Sequence, residues 1–226
     1  MQPAVLLLHA AGRARLAAEA RAADRRRDLP PGHDRGGAAR HRRGALHRGE
    51  PLLRRELTGI VARTAALRPR PRLSITSNGI GLARLAGPLA EAGLDRVNIS
   101  LDTLDRDTFT RLAHRDRLQD VLAGLAAADE ARLRPVKVNT VLMRGVNEHE
   151  AAGLLRFCLE RGYELRFIEQ MPLDAQHGWR REEMVTAGEI LDMLTREFSL
   201  TPDDPGSGAA RPPRSSWWTA ARRGSG

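Results

Sequence analysis

The chain has 226 residues, 41% of them hydrophobic, which suits one domain with a packed core. No apolar run approaches the roughly 20 residues of a membrane span, and no basic segment precedes the short apolar stretch Val5–Leu8, so membrane and secretory classes are excluded and the cytoplasm is expected. The single cysteine, Cys158, excludes a disulfide framework and a cysteine-ligated metal cluster made by this chain alone, while a net charge of +9 raises the question of a nucleic-acid partner.

In chain order, Pro51 suits a first helical position, and Leu52, Leu53, Leu57, Ile60, Val61 and Ala65 follow at helical spacing. Leu73–Thr76 reads as a strand ended by Ser77-Asn78-Gly79. A helix over 82–92 closes at Gly93, a residue suited to the left-handed position after a helix. Val97–Leu101 is the next strand. Asp105 can cap a helix reaching Leu112, and a further helix covers 118–131. Val136–Met143 is rich in β-branched residues and reads as a strand, followed by a polar turn at Gly145–Asn147. A helix over 149–161 precedes Gly162, and Glu164–Met171 is the next strand. Thr186-Ala187-Gly188-Glu189 is a capping box opening a helix over 190–198. Four strand–helix units in succession predict an α/β fold, with a parallel sheet curled into a barrel or part of one. No Gly-x-Gly-x-x-Gly follows any strand, which argues against a doubly wound dinucleotide fold.

The charge is unevenly distributed. Residues 1–48 carry +7, residues 49–200 carry zero and residues 201–226 carry +2. The first segment is Arg- and Ala-rich without any Phe, Tyr or Trp, and the last is a low-complexity stretch around Trp217-Trp218. Neither has the alternation needed to bury apolar surface and offset its ordering entropy, so both are expected to be disordered. A basic nucleic-acid-binding arm is the alternative, but the stacking aromatics of single-strand binders are missing from the first segment, and no nucleic-acid or membrane partner is expected.

In parallel barrels the chemistry collects at the carboxyl ends of the strands. Those ends carry Thr76-Ser77-Asn78, Ser100-Leu101-Asp102, Lys137-Val138-Asn139 and Glu169-Gln170-Met171. Each has an ordinary structural reading: Asn78 as a turn former, Ser100 and Asp102 as helix caps, Met171 as core filler. Lys137 stands apart, since it is the sole lysine among 37 basic residues and lies in an apolar strand. A buried ammonium needs an anion, either a phosphate-bearing ligand or a carboxylate such as Glu169 or Asp102.

Taken in order, five segments resemble the molybdenum-cofactor biosynthesis protein A family, the radical S-adenosylmethionine (SAM) GTP 3′,8-cyclases. They are Gly49-Glu50-Pro51-Leu52-Leu53-Arg54, Ile75-Thr76-Ser77-Asn78-Gly79, Val97–Asp102, Val136–Met143 and Arg166-Phe167-Ile168-Glu169-Gln170-Met171. The resemblance implies a partial (β/α)6 barrel over 49–200. It also implies a lyase that uses SAM and [4Fe–4S] clusters to cyclise GTP to (8S)-3′,8-cyclo-7,8-dihydroguanosine 5′-triphosphate, the first step towards molybdopterin. Carried over by motif, Gly49, Ser100 and Met171 would contact SAM, and Thr76 and Lys137 would contact GTP.

Two departures accompany the resemblance. The family holds its cluster with Cys-x-x-x-Cys-x-x-Cys on the first strand, whereas no cysteine here precedes Cys158, which is expected to be a buried apolar residue on a helix. The arginine that precedes the Gly-Glu-Pro segment in the family falls at Ala45. Both departures fit a displaced reading frame over 1–48. A one-base shift at Met1-Gln2 forces a cysteine codon, and the same shift permits cysteine at Val5-Leu6 and Leu8-His9, which restores the spacing. The tail 201–226 can be read likewise. Without cluster ligands the chain as written is expected to be inactive, the alternative being a catalytically dead SAM- and GTP-binding remnant or pseudogene product, and an open sheet edge is expected beside Ile75.

Overall fold

The computed structural model describes residues 5–10, 43–46, 49–170, 181–202 and 215–222. Its strands are β1 (Val5–Ala10), β2 (Arg43–Leu46), β3 (Arg72–Ser77), β4 (Arg96–Ser100), β5 (Lys137–Thr140), β6 (Glu164–Ile168), β7 (Phe198–Pro202) and β8 (Ser215–Arg222). Its α-helices are α1 (Leu57–Ala65), α2 (Leu82–Glu91), α3 (Arg106–Ala113), α4 (Leu118–Glu130), α5 (Ala151–Arg161) and α6 (Ala187–Leu194). The described residues fall into two units, one lying within 15–99 and 119–136, the other within 1–14, 100–118 and 137–226.

In the first unit β2, β3 and β4 pair in parallel. Period-two alternation sends Leu73, Ile75 and Ser77 of β3 and Val97 and Ile99 of β4 to a buried face, while Ser74, Thr76 and Asn98 take the opposite, partly open face. Leu57 and Val61 of α1, Leu82, Ala86 and Leu89 of α2, and Val121, Leu125 and Ala128 of α4 are buried as well. Each such Leu or Val contributes about 1.5–3 kcal/mol by leaving water. The expected helix from Pro51 to Ala65 is split: Pro51–Leu53 is a 3-10 turn, Arg54 is extended and α1 begins at Leu57. The cause is Glu50, whose carboxylate accepts from the Leu52 amide at 3.0 Å and caps a single turn, leaving Leu53 82% exposed. Helix α2 ends as expected. Gly93 takes φ +99°, and the Leu94 amide reaches back to the Leu89 carbonyl at 2.9 Å, closing a Schellman turn.

In the second unit β5 and β6 pair in parallel, with Lys137 opposite Glu164 and Asn139 opposite Arg166. Val138, Thr140, Leu165 and Phe167 occupy the buried face. Strand β5 is shorter than the expected 136–143. Beyond Thr140, the Val141 amide turns to the Asp102 carboxylate at 2.8 Å and the Met143 amide to the Asn147 side chain at 2.7 Å, so sheet pairing stops. Helix α5 closes at Gly162, φ +69°. The capping box at Thr186 and Glu189 is present, but α6 stops at Leu194 and Phe198 opens β7 rather than ending the helix. To the parallel pair this unit adds an antiparallel β1–β6 pair, a parallel β1–β8 pair and an antiparallel β7–β8 pair, an arrangement common at the margins of α/β sheets.

The α/β class with parallel strands and intervening helices is therefore as expected. The open edge beside Ile75 is not: Leu46 of β2 lies opposite Ile75. Strand pairing uses backbone N–H and C=O groups, which an Arg-, Gly- and Ala-containing segment supplies as well as an apolar one. Strands β1, β2 and β8 lie inside the two flanks singled out by charge. Among the described residues no helix is long and apolar enough to cross a membrane.

Candidate functional site

The first unit gathers two of the sequence motifs around one carboxylate. Gly49 takes φ +67°, a conformation that glycine tolerates, and delivers Glu50 towards the end of β3. There the Glu50 carboxylate accepts from Ser77 Oγ at 2.7 Å and from the Asn78 amide at 2.8 Å, in addition to Leu52. Ser77 Oγ in turn accepts from the Gly79 amide at 2.9 Å, and Asn78 Oδ1 from the Ile80 amide at 2.9 Å. Asn78 thus makes the turn its neighbour Gly79 suggested. The turn is seated tightly: a Cβ on Gly124 of α4 would lie 2.6 Å from the Gly79 carbonyl oxygen.

On the open face of the same strands Thr76 and Asn98 lie opposite each other in register. Asn98 Nδ2 donates to Thr76 Oγ1 at 3.0 Å. Asn98 Oδ1 is buried with no hydrogen-bond partner.

In the second unit Lys137 is 6% exposed, and its Nζ lies 2.6 Å from Glu164 Oε2. The carboxylate expected to meet Lys137 was Glu169 or Asp102; it is Glu164, the residue directly opposite on β6. Glu169 accepts from the Ala187 amide at the start of α6, at 3.1 Å. Asp102 accepts from the Val141 amide, and burial pushes its carboxyl above the ordinary range despite that bond. Asp105, not Asp102, caps α3, accepting from the Thr108 amide at 2.8 Å. Asn147 ties the segment together by donating to the Asp102 and Val141 carbonyls at 2.7 and 3.1 Å. Asn139, on the open face of β5, repeats the feature seen at Asn98: its Oδ1 is buried and has no partner. Ser100 is exposed at the end of β4, and Met171 lies outside the described residues.

Of the five residues implied by the resemblance, Gly49 and Thr76 thus fall in the first unit, while Ser100 and Lys137 fall in the second. Glu50, Asn98 and Glu164 were missed as interacting groups. Register could have found Asn98 and Glu164, since each lies opposite a residue already singled out.

The site does not hold an iron–sulfur cluster with the residues present. Cys158 is fully buried on α5 and desolvation pushes its thiol well above the ordinary range, whereas a cluster needs several exposed thiolates. No group of three or more His, Cys, Asp or Glu side chains suited to a metal ion occurs among the described residues.

The radical SAM superfamily profile matches residues 39–158. A Streptomyces coelicolor protein named GTP 3′,8-cyclase is 66% identical over 153 residues, covering 68% of this chain and 45% of that protein. GTP 3′,8-cyclase 2 of Mycobacterium tuberculosis is 59% identical over 162 residues, 72% of this chain and 45% of that one. The chain thus spans a little under half the length of the curated relatives it matches. Among solved structures, TYW1 with a lysine-pyruvate adduct bound superposes with a TM-score of 0.51 at 22% identity, covering 71% of this chain and 53% of that one, which supports the fold class alone. With more than half of its residues matched by that profile, and with parallel strand–helix units carrying the Gly49-Glu50-Pro51 clamp, the chain belongs to the radical SAM superfamily.

Proposed function

We propose that the family role of this chain is the radical SAM cyclisation of GTP at the start of molybdenum cofactor biosynthesis, in the cytoplasm. We propose also that the chain as written retains ligand binding without the chemistry. The observation that carries the first half is the 66% identity, over 153 residues, to a protein named GTP 3′,8-cyclase. What supports the second half is the count of one cysteine, fully buried. The superfamily's [4Fe–4S] cluster supplies the electron that cleaves SAM, and this chain has no ligand set for it.

In this reading Gly49, Ser100 and Met171 contact SAM, and Thr76 and Lys137 contact GTP. The positive φ of Gly49, fixed by the three hydrogen bonds of Glu50, supports a backbone contact at that point. The GTP contact of Lys137 rests on the resemblance and on the relatives' identity, since in the structure its ammonium faces the Glu164 carboxylate. The segments 1–48 and 201–226, which carry β1, β2 and β8, are flanks out of frame around the barrel segment 49–200. Resequencing the locus addresses the frame directly, and an intact single frame would remove a sequencing error as its explanation.

Calorimetric titration of GTP into the iron-free chain tests the binding half. A saturable heat that Lys137→Ala weakens about tenfold, or about 1.4 kcal/mol, is expected. No saturable heat, or one indifferent to Lys137→Ala, contradicts it.

A further inference from the structure

We infer that Asn98 is a ligand-contacting residue which, together with Thr76, reads one hydrogen-bond donor of the bound nucleoside. This rests on the proposed GTP reading and adds a residue and a specificity to it. The argument starts from satisfaction. Buried polar side-chain atoms are nearly always hydrogen-bonded, because an unpaired one forfeits its bond to water. Asn98 Oδ1 is buried and unpaired, although the amide's other end, Nδ2, is committed to Thr76 Oγ1 at 3.0 Å.

Thr76 and Asn98 face each other on the open face of β3 and β4, where the remaining positions are partly buried or exposed, whereas their neighbours Ile75, Val97 and Ile99 are fully covered on the opposite face. A leucine or valine at position 98 would avoid the orphaned acceptor altogether.

The hydrogen bond also sets the polarity of the pair. A threonine hydroxyl has one proton and two lone pairs. Because Asn98 donates to Thr76 Oγ1, one lone pair is used and the hydroxyl proton is left to point away from Asn98. The pair therefore offers one donor, the Thr76 hydroxyl, beside one acceptor, Asn98 Oδ1. Its complement is a ligand edge with an acceptor beside an N–H or O–H donor. GTP has such edges on both its base and its sugar.

Titration of the 226-residue chain with GTP and four analogues tests the inference. Inosine triphosphate lacks the exocyclic amine, 1-methyl-GTP lacks the ring N–H, and 2′-deoxy- and 3′-deoxy-GTP each lack one sugar hydroxyl. The wild-type chain is expected to bind at least one analogue about tenfold more weakly than GTP, an effect equal to about 1.4 kcal/mol. That analogue identifies the donor that is read. Asn98→Ala should weaken GTP itself by a similar factor and erase the discrimination. Thr76→Val should also weaken GTP, and the double variant should be no worse than either single one, because the two side chains act as one unit. Asn98→Asp keeps an acceptor but draws the Thr76 proton inward, so it should weaken GTP too. Equal affinity of Asn98→Ala and wild type for GTP overturns the inference, as does a wild-type chain that ranks no analogue below GTP. If Asn98→Ala loses its far-ultraviolet circular dichroism, Thr76→Val and the wild-type analogue series still decide. A wild-type chain that binds no GTP at all overturns the underlying functional reading instead.

Discussion

Glu164→Gln removes the charge facing the chain's one lysine and leaves the geometry of the side chain intact. The Lys137 and Glu164 side chains are 8% and 16% exposed, with Nζ and Oε2 2.6 Å apart. At an effective dielectric of about 20, that separation corresponds to an attraction of about 6 kcal/mol. Desolvation of the two ions costs several kcal/mol each and cancels most of it, so the pair itself contributes little net stability. Breaking it from one side is different, because the lysine then loses the Glu164 charge while it remains buried. The expected cost is about 3 kcal/mol, at the lower end for buried pairs because Glu164 keeps some contact with water. Lys137→Met combined with Glu164→Gln should recover most of that loss, since both buried charges are then removed. Equilibrium urea denaturation of the four proteins gives the coupling energy directly. A Glu164→Gln variant within about 0.5 kcal/mol of wild type, or losses that simply add, would refute the reasoning.

Other consequences follow from single groups. Cys158 is fully buried with its thiol pushed up, so Ellman's reagent should leave it unmodified in the native chain and label it completely in guanidinium. Asp102 has its carboxyl raised by burial, so the folded chain binds that proton more tightly than the unfolded one. Its contribution therefore favours folding below the ordinary carboxylate range and opposes it as pH rises through the folded value. Asp102→Asn, which keeps an acceptor for the Val141 amide, should be more stable than wild type at pH 7, with the gap closing towards pH 4; denaturant melts at both values check this. Gly124→Ala would place a methyl group 2.6 Å from the Gly79 carbonyl oxygen, so the helix or the turn must shift, at an expected cost of about 2 kcal/mol by urea titration.

The strand–helix alternation was legible because each described central strand carries its own period. Leu73 and Ile75, Val97 and Ile99, and Leu165 and Phe167 alternate in the sequence and in burial alike. Element ends were less legible, because they depend on side chains reaching across the sequence. Glu50 stops the first turn at Leu53, and Asp102 captures Val141 and shortens β5, yet neither bond has a local signature. The flanking strands were not legible at all. Strands β1, β2 and β8 lie in segments of low complexity, and their pairing with β6, β3 and β7 rests on backbone groups that every residue carries. Within the site, the unusual residue Lys137 was visible by composition, but its partner was not, because Glu164 lies on another strand and only register brings the two together. The orphaned acceptors of Asn98 and Asn139 are properties of packing, with no sequence signature.

The central claim is that this chain keeps the radical SAM scaffold and has no cluster of its own. Anaerobic iron and sulfide reconstitution of the purified chain, followed by desalting and iron analysis, tests it most directly. The expected result is no stoichiometric iron and no charge-transfer absorbance in the visible, with Cys158 still unreactive. About four irons per chain, with a reducible cluster signal and cleavage of added SAM, would contradict it.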